Sequence, residues 1–392
     1  MHSFYLKPSH QDLILTPSEE ESRPELIQSF GPCELALPFP LHLSVALEEK
    51  RIKTAVVEVG WCHQGIEKLF EQISWQDGVS LIARVNPNFP EPISLTYLLA
   101  LEELLQLTTH IPEHVQTWRV VMLESTRIKR HLTLVYQLIH LLGSFYLKQL
   151  SNKTLLLSHH FCEQVCYSEN KRPRYQLGGL SQFPEVPFLQ TLMDQISGFS
   201  EQLNLLSQKI LLENQIFSRL SSIGFISKET ALSYGLTGPA LRACGSLDDV
   251  RRSHPYFDYA TYPPSLVTQT EGNAWSRLSL RMLEINASLE IIQQALQNLL
   301  THGPHAHFQA PLESINWNEL PIQNQSAFTE SPDGELALTL VSDGSNKPWR
   351  VRIKTPSFSL CSALPVFLQD ADIDDVILIL LSLGIVGFEV DR

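Results

Sequence analysis

The sequence predicts an α+β protein, with a bundle of long helices at its core and one β-hairpin region near each terminus. Three observations carry this. Apolar residues recur at helical spacing from Ser94 to about Glu169, and again over 188–222 and 273–301. Residues 41–59 alternate apolar and polar about a charged Glu48-Glu49-Lys50-Arg51 turn, the pattern of a hairpin with one buried face. Two further strand-like runs, 335–341 and 349–354, flank Asp343-Gly344-Ser345-Asn346-Lys347-Pro348, a sequence rich in turn formers.

Along the chain, residues 1–29 mix charges and prolines around Glu19-Glu20-Glu21 and read as an N-terminal extension, with 30–392 as one domain. In the first hairpin Leu41, Leu43, Val45 and Leu47 share a side, and Ile52 opens a second run through Val56, Val57 and Val59. Leu98, Leu101, Leu104 and Leu105 fit a 3.6-residue period. The apolar stretch 114–156 is interrupted by Gly143 and Asn152, which predicts two or three helices. Residues 188–222 are expected as one long amphipathic helix. Over 273–301, Leu278, Met282, Ile285, Leu289, Ile292 and Leu296 form a stripe wide enough to demand burial against neighbours. Residues 302–332, with their prolines and polar side chains, read as a connecting loop. A short helix over 372–383 and an extended tail close the chain.

Composition narrows the function classes. The chain has 392 residues, 43% of them hydrophobic and 18% charged, which is ordinary for a globular protein. A formal charge of −13 gives no electrostatic reason to bind nucleic acid or to dock unaided on an anionic membrane. The start of the chain lacks a basic segment followed by an apolar one, so no secretory leader is expected. No apolar run reaches the roughly 20 residues of a spanning helix. Six scattered cysteines are then expected as reduced thiols, and none forms a Cys-x-x-Cys pair. There is no Gly-x-Gly-x-x-Gly or Walker loop, so nucleotide binding by this chain has no support.

Several motifs occur in a fixed order. Phe30-Gly31-Pro32 precedes the first hairpin, and Gly60, His63, Gly65, Glu67 and Lys68 follow it. Ala100-Leu101-Glu102-Glu103-Leu104-Leu105 comes next, then Glu124, Arg127, His131 and Leu132, then Gly178-Gly179. Leu236-Thr237-Gly238-Pro239-Ala240-Leu241-Arg242-Ala243-Cys244-Gly245 leads to Asp249-Val250-Arg251-Arg252 and Pro255-Tyr256. Gly272 and Arg277 precede the last hairpin and a terminal Glu389-Val390-Asp391-Arg392. Together these resemble the D (49 kDa-type, quinone-pocket) subunit of bacterial NADH:quinone oxidoreductase, respiratory complex I. They also resemble the large subunit of nickel–iron hydrogenases. The resemblance covers about residues 30–392, with an abbreviated region between 300 and 330.

The resemblance implies a hydrogenase large-subunit-like fold and a peripheral subunit of a membrane-attached assembly on the cytoplasmic face of the inner membrane. It implies an iron–sulfur partner of the complex I B-like or hydrogenase small-subunit-like kind, a C-like subunit and antiporter-like membrane-arm subunits. As a complex, such an assembly would be an oxidoreductase acting on NAD(P)H and quinone, with its iron–sulfur cluster in the partner and quinone as a possible ligand.

The positions where relatives keep their chemistry hold other residues. Four thiolates bind nickel and iron in the hydrogenases, because soft anionic sulfur suits that centre. Here those positions fall at Asn86, Phe89, Val386 and Glu389. The complex I quinone contacts, a His and a Tyr, fall at Pro38 and Pro87. Pro87, Pro90 and Pro92 make the 84–92 segment read as stiff and extended. The expectation is therefore a chain with no cofactor or metal of its own, serving electron transfer coupled to ion translocation, or else a purely structural or regulatory scaffold.

Candidate residues follow. His42, His63, Glu67, Arg84 and Asp391 could form a relocated quinone pocket or coupling site. His63 and Glu67, four apart, could do acid–base work or pin the hairpin to the first helix. Glu124, Arg127 and His131 share a helix face that either meets the iron–sulfur partner or forms a buried ion network. Lys171 falls near the position of a basic His that faces the partner's cluster in the relatives. Arg242, Arg251 and Arg252 could cap helix ends or pair with acids. His159, Cys162 and Cys166 lie on one helix face with His160 nearby, which suits either zinc or, more plainly, a buried apolar face.

Overall fold

Leu41, Leu43, Val45 and Leu47 all point into the core, and that inward face organises the N-terminal sheet. In the computed structural model, which describes residues 15–16, 25–31, 39–302 and 307–392, this sheet is an antiparallel meander. Its strands are β1 (Leu15–Thr16), β2 (Glu25–Phe30), β3 (His42–Glu48) and β4 (Arg51–Glu58). The β3–β4 hairpin agrees with the sequence pattern, with a register irregularity at Ala46/Leu47. β2 lies within the segment read as an extension, and its pairing from Leu26↔Leu47 to Phe30↔Leu43 makes it part of the sheet. Val56 and Val59 face outward, so β4 contributes mainly Ile52 to the core.

The helical core is built from α1 (Pro90–Leu104), α2 (Glu113–Leu142), α3 (Phe145–Cys166), α4 (Val186–Leu211), α5 (Asn214–Ser221) and α6 (Ala274–Thr301). α2 packs between α3 and α6, and α4 covers both of those. Gly143 ends α2 by donating to the Ile139 carbonyl at 2.7 Å, a spot where a Cβ would meet that same oxygen, and Ser144 caps α3. Asn152 does not break α3. Pro90 and Pro92 lie in the first turn of α1, where a missing N–H costs nothing, so that part of the segment is helical rather than extended.

The helix expected over 188–222 is two helices. Leu189, Leu192, Ile196, Phe199, Leu203, Leu206 and Ile210 repeat at alternating steps of three and four, which would put Glu213 and Phe217 next on the buried face. The buried residues are instead Ile216 and Leu220, so the chain resets its helical phase at Leu212-Glu213.

The C-terminal sheet has three antiparallel strands, β5 (Gln323–Ser331), β6 (Gly334–Ser342) and β7 (Arg350–Lys354), with α1 lying across β5 and β6. β5 occupies the segment read as a loop. Its inward positions near the turn hold Thr329, Glu330 and Ser331, which hydrogen-bond rather than pack, so no apolar alternation betrays the strand. Past β7 come α7 (Val376–Leu383) and a single turn, α8 (Gly387–Val390), where an extended tail was expected. The N-terminal hairpin meets the segment that leads into α7: Ile52 donates to Ala371 O at 2.9 Å and Asp370 donates to Ile52 O at 2.8 Å. No helix among the described residues is long and apolar enough to cross a membrane.

One close approach locks this core. Gly238 has φ +63, and a Cβ there would lie 2.4 Å from Gly334 Cα in the β5–β6 turn. Gly238→Ala is expected to push that turn outward and cost at least about 2–3 kcal/mol, from left-handed strain plus displaced backbone. Denaturant titration checks this, and a cost below about 0.5 kcal/mol would show that the turn yields freely.

Candidate functional site

The C-terminal tail closes against the loop after β4. Asp391 accepts from the backbone N–H groups of Gly60 at 2.8 Å and Cys62 at 2.7 Å, one per carboxylate oxygen. The exposed His63 ring, through Nδ1, sits 2.8 Å from the Asp391 carbonyl oxygen. Glu67 accepts from Ile353 N–H in β7 at 2.9 Å, with Arg350 and Arg392 3.7 and 3.9 Å away. His63 and Glu67 thus each reach the C-terminal region, rather than bonding the first hairpin to the helix that follows it. His42 pairs across the hairpin with Glu58, Nδ1 to oxygen 3.2 Å, and Arg84 is exposed on a short 3-10 turn. Of the five candidates, His63, Glu67 and Asp391 share this junction. Asp391→Ala is expected to lower stability by about 1–3 kcal/mol, because two N–H groups lose a charged acceptor. Hydrogen exchange at Gly60 and Cys62 reads the change locally, and unchanged protection there would overturn it.

Asn86, Phe89 and Glu389 line one cleft where the 86–89 turn meets α8, and Val386 precedes α8 with its N–H on Ser357 Oγ. Asn86 Nδ2 donates to Glu389 Oε1 at 2.8 Å, and Ser357 Oγ donates to Oε2 at 2.6 Å. Phe89 lies under the Lys129 and Arg130 side chains, 4.9 and 5.2 Å from its ring centre. These positions offer an amide, a carboxylate, a phenyl ring and an isopropyl group, from which a four-thiolate nickel–iron cage cannot be assembled. A narrow cleft lined by Asn86, Phe89, Arg130, Asp333 and Glu389 has room for about one water, too little for a quinone ring without movement. Pro87 is exposed on the adjoining turn, and Pro38 lies outside the described residues. Burial raises the Glu389 carboxyl to about 7; Ser357 and Asn86 oppose the shift by hydrogen bonding, Asp333 adds to it and Arg130 opposes it.

From this cleft a chain of buried ionisable groups runs into the helical core. Arg130 Nε donates to Asp333 at 2.7 Å, and Arg281 reaches the other Asp333 oxygen at 3.2 Å. Arg281 also donates to His131 Nδ1 at 3.0 Å, so the ring's remaining proton sits on Nε2 and points to Glu284, 2.8 Å away. Burial lowers the His131 imidazolium to about 4, although Glu284 favours the charged form. Glu284 accepts from Arg242 at 2.7 Å, and Arg242 also donates to Glu330 at 2.7 Å. Arg127 donates to the Ser331 and Glu330 carbonyls and to Glu124.

Glu124 is the hub of the network. It accepts from Arg127, from Arg251 at 3.0 Å, from Tyr259 at 2.5 Å and from Ser288 at 2.5 Å. Burial alone would raise it, but Arg127 and Arg251 hold its carboxyl at about 2. Arg251 in turn clamps Asp249, held well below the usual carboxylate range by the two arginines around it. Arg127, Arg130, Arg242, Arg251 and Arg281 thus face Glu124, Asp249, Glu284, Glu330 and Asp333, while Arg252 stays exposed.

Glu124, Arg127 and His131 are sealed from the surface in this chain, so any influence on a partner passes through the residues that cover them. Lys171 sits in an exposed turn after α3 and pairs with Glu163. His159 and His160 face solvent, whereas Cys162 and Cys166 point inward. Glu284, Glu330 and Asp333 were missed from the sequence. Glu284 lies beside the apolar stripe of α6, which continues unbroken from Met282 to Ile285, so the periodicity carried no signal of it.

Relatives share this architecture. The family model described as "Respiratory-chain NADH dehydrogenase, 49 Kd subunit" matches residues 158–392. A D-type subunit of the NADH-quinone oxidoreductase of Symbiobacterium thermophilum is 32% identical over 404 residues, covering 95% of this chain and 98% of the relative. The corresponding D-type subunit from a Roseiflexus species is 31% identical, covering 97% and 96%. Among solved structures, a chain of the membrane-bound sulfane sulfur reductase, an archaeal respiratory membrane complex, matches with a TM-score of 0.85 at 28% identity, covering 98% of this chain and 100% of that one. With the family model spanning most of the chain and full-length relatives above 30% identity, the chain belongs to the 49 kDa (D-type) subunit family of the respiratory-chain NADH dehydrogenases.

Proposed function

We propose that this chain is a peripheral-arm subunit of a membrane-attached, complex I-like assembly. It supports electron transfer coupled to ion translocation without a nickel–iron centre of its own. The observation that carries the reading is the buried Asn86–Glu389 pair, which adjoins the chain Arg130–Asp333–Arg281–His131–Glu284; in this reading the pair takes the place of two of the hydrogenases' thiolates. A carboxyl that titrates near neutrality at one end of a dry, charge-balanced network is suited to passing on a change of charge, because low-dielectric surroundings screen it weakly. Electrons run through the iron–sulfur cluster of a B-like or small-subunit-like partner, beside a C-like subunit. Antiporter-like membrane subunits hold the arm at the cytoplasmic face of the inner membrane. The names of the relatives support quinone as the acceptor for the assembly.

A tagged chain recovered from detergent-solubilised membranes is expected to bring with it an iron–sulfur protein, visible by electron paramagnetic resonance after reduction, and antiporter-like membrane proteins. Recovery as a lone protein would overturn the reading. In the recovered complex, Glu389→Gln is expected to remove an inflection near pH 7 from the turnover profile. The second reading, a scaffold without redox turnover, is favoured by the lost ligands, and it predicts an assembled complex whose activity is indifferent to Glu389.

A further inference from the structure

A cluster outside this charge chain has its own chemistry. Glu91 in the first turn of α1 and Cys162 and Cys166 at the end of α3 are all buried, and each places one ligand atom within 4.8 Å of the other two. The sulfurs are 3.9 Å apart. Two thiolates on a tetrahedral zinc ion, at a bond length near 2.3 Å, stand about 3.8 Å apart, so the pair already has the spacing the metal requires. Glu91 has a side-chain exposure of zero. Its Oε1 accepts from the Tyr167 hydroxyl at 2.8 Å, while its Oε2 is buried with no hydrogen-bond partner among the described residues. No arginine or lysine forms an ion pair with it among those residues. The idle, enclosed oxygen beside two thiols is an unused ligand atom. Ser125 and Thr126 place hydroxyls 3.7 and 3.6 Å from Cys166 and Cys162; both donate to the Met122 carbonyl here and would have to leave it to donate to thiolate sulfur.

We infer that Glu91, Cys162 and Cys166 bind a thiophilic divalent cation, zinc in the first instance, as a structural clamp between α1 and α3. Binding releases the two thiol protons, and water or the Tyr167 hydroxyl fills the fourth position. Two thiolates with one carboxylate are a donor set for zinc rather than for magnesium or calcium, which take oxygen ligands. The ligands differ from the His159-Cys162-Cys166 grouping suggested by helical spacing, because α1 supplies a carboxylate from across the core while His159 faces solvent. The clamp fixes the start of α1, two residues past Phe89, and so holds the turn that carries Asn86. The inference is independent of the proposed electron-transfer role.

The test uses the full chain produced in zinc-supplemented medium and measures metal by mass spectrometry after dialysis. About one zinc per chain is expected in the wild type and in His159→Ala, and none in the Cys162→Ser/Cys166→Ser double variant. Glu91→Gln is expected to weaken zinc retention by more than about tenfold. Wild-type chain produced with cobalt is expected to show a thiolate-to-cobalt charge-transfer band in the near ultraviolet, a readout that holds even where the cysteine variants fail to fold. A wild-type chain with neither zinc nor that band, or zinc retained by the double variant, would overturn the assignment.

Discussion

Glu124→Ala is expected to destabilise the chain by about 3–5 kcal/mol, a large part of the stability of an ordinary domain. The cost does not come from the lost ion pairs alone. Removing this carboxylate leaves Arg127 and Arg251 as buried cations short of a partner, and leaves the Tyr259 and Ser288 hydroxyls without their acceptor. None of these groups can reach water, because all are buried. Glu124→Gln keeps the shape and recovers only the packing and part of the hydrogen bonding, since Arg127 still lacks its carboxylate and Arg251 is left with Asp249 alone. Denaturant unfolding near neutral pH measures both, with the exposed Glu201→Ala as a control expected within about 0.5 kcal/mol of wild type. A Glu124→Ala loss under about 1 kcal/mol would mean that the network is not a rigid element of the core.

The second large effect is a pH dependence. Glu389 has its carboxyl raised by burial to about 7 from an ordinary 4.5, so the folded chain holds a proton there that the unfolded chain has already released. Between these values the folded state binds more protons, and stability falls as pH rises. The contribution is fully present below about pH 4.5 and lost as pH climbs through 7; the full displacement corresponds to roughly 3 kcal/mol. The groups that face Glu389 are Asn86, Ser357, Asp333 and Arg130, and of these Asp333 and Arg130 are already paired with each other. Glu389→Gln supplies a permanently neutral isostere. It is expected to match wild type near pH 5 and to exceed it by about 2–3 kcal/mol at pH 8. Unfolding midpoints at the two values decide the matter, and parallel pH profiles for variant and wild type would show that Glu389 is ionised throughout.

Much of this was legible in the sequence. The β3–β4 and β6–β7 hairpins and the α2 and α6 helices follow from apolar periodicity, because a buried face writes itself into every second or every three-to-four residues. Motif order pointed to the family, and with it to Asn86, Phe89, Val386 and Glu389 as the four positions expected to replace the hydrogenase thiolates. The misses share one cause. β5 presents Thr329 and Glu330 inward, and α4 and α5 divide where the buried phase jumps from Ile210 to Ile216. Both depend on what lies opposite, which periodicity within a segment does not record.

The sequence by itself determined the hydrophobic framework, the family and the absence of any Cys-x-x-Cys pair, since each is written in residue types and their local spacing. Only the tertiary structure decided that Asn86 bonds Glu389 across 303 positions, that Glu284 and Glu330 share Arg242, and that Glu91 rather than His159 stands beside Cys162 and Cys166. Buried charge and metal-like clusters are made by side chains brought together from distant elements. Their energies depend on distance and on exclusion of water, and neither quantity exists until the chain has folded.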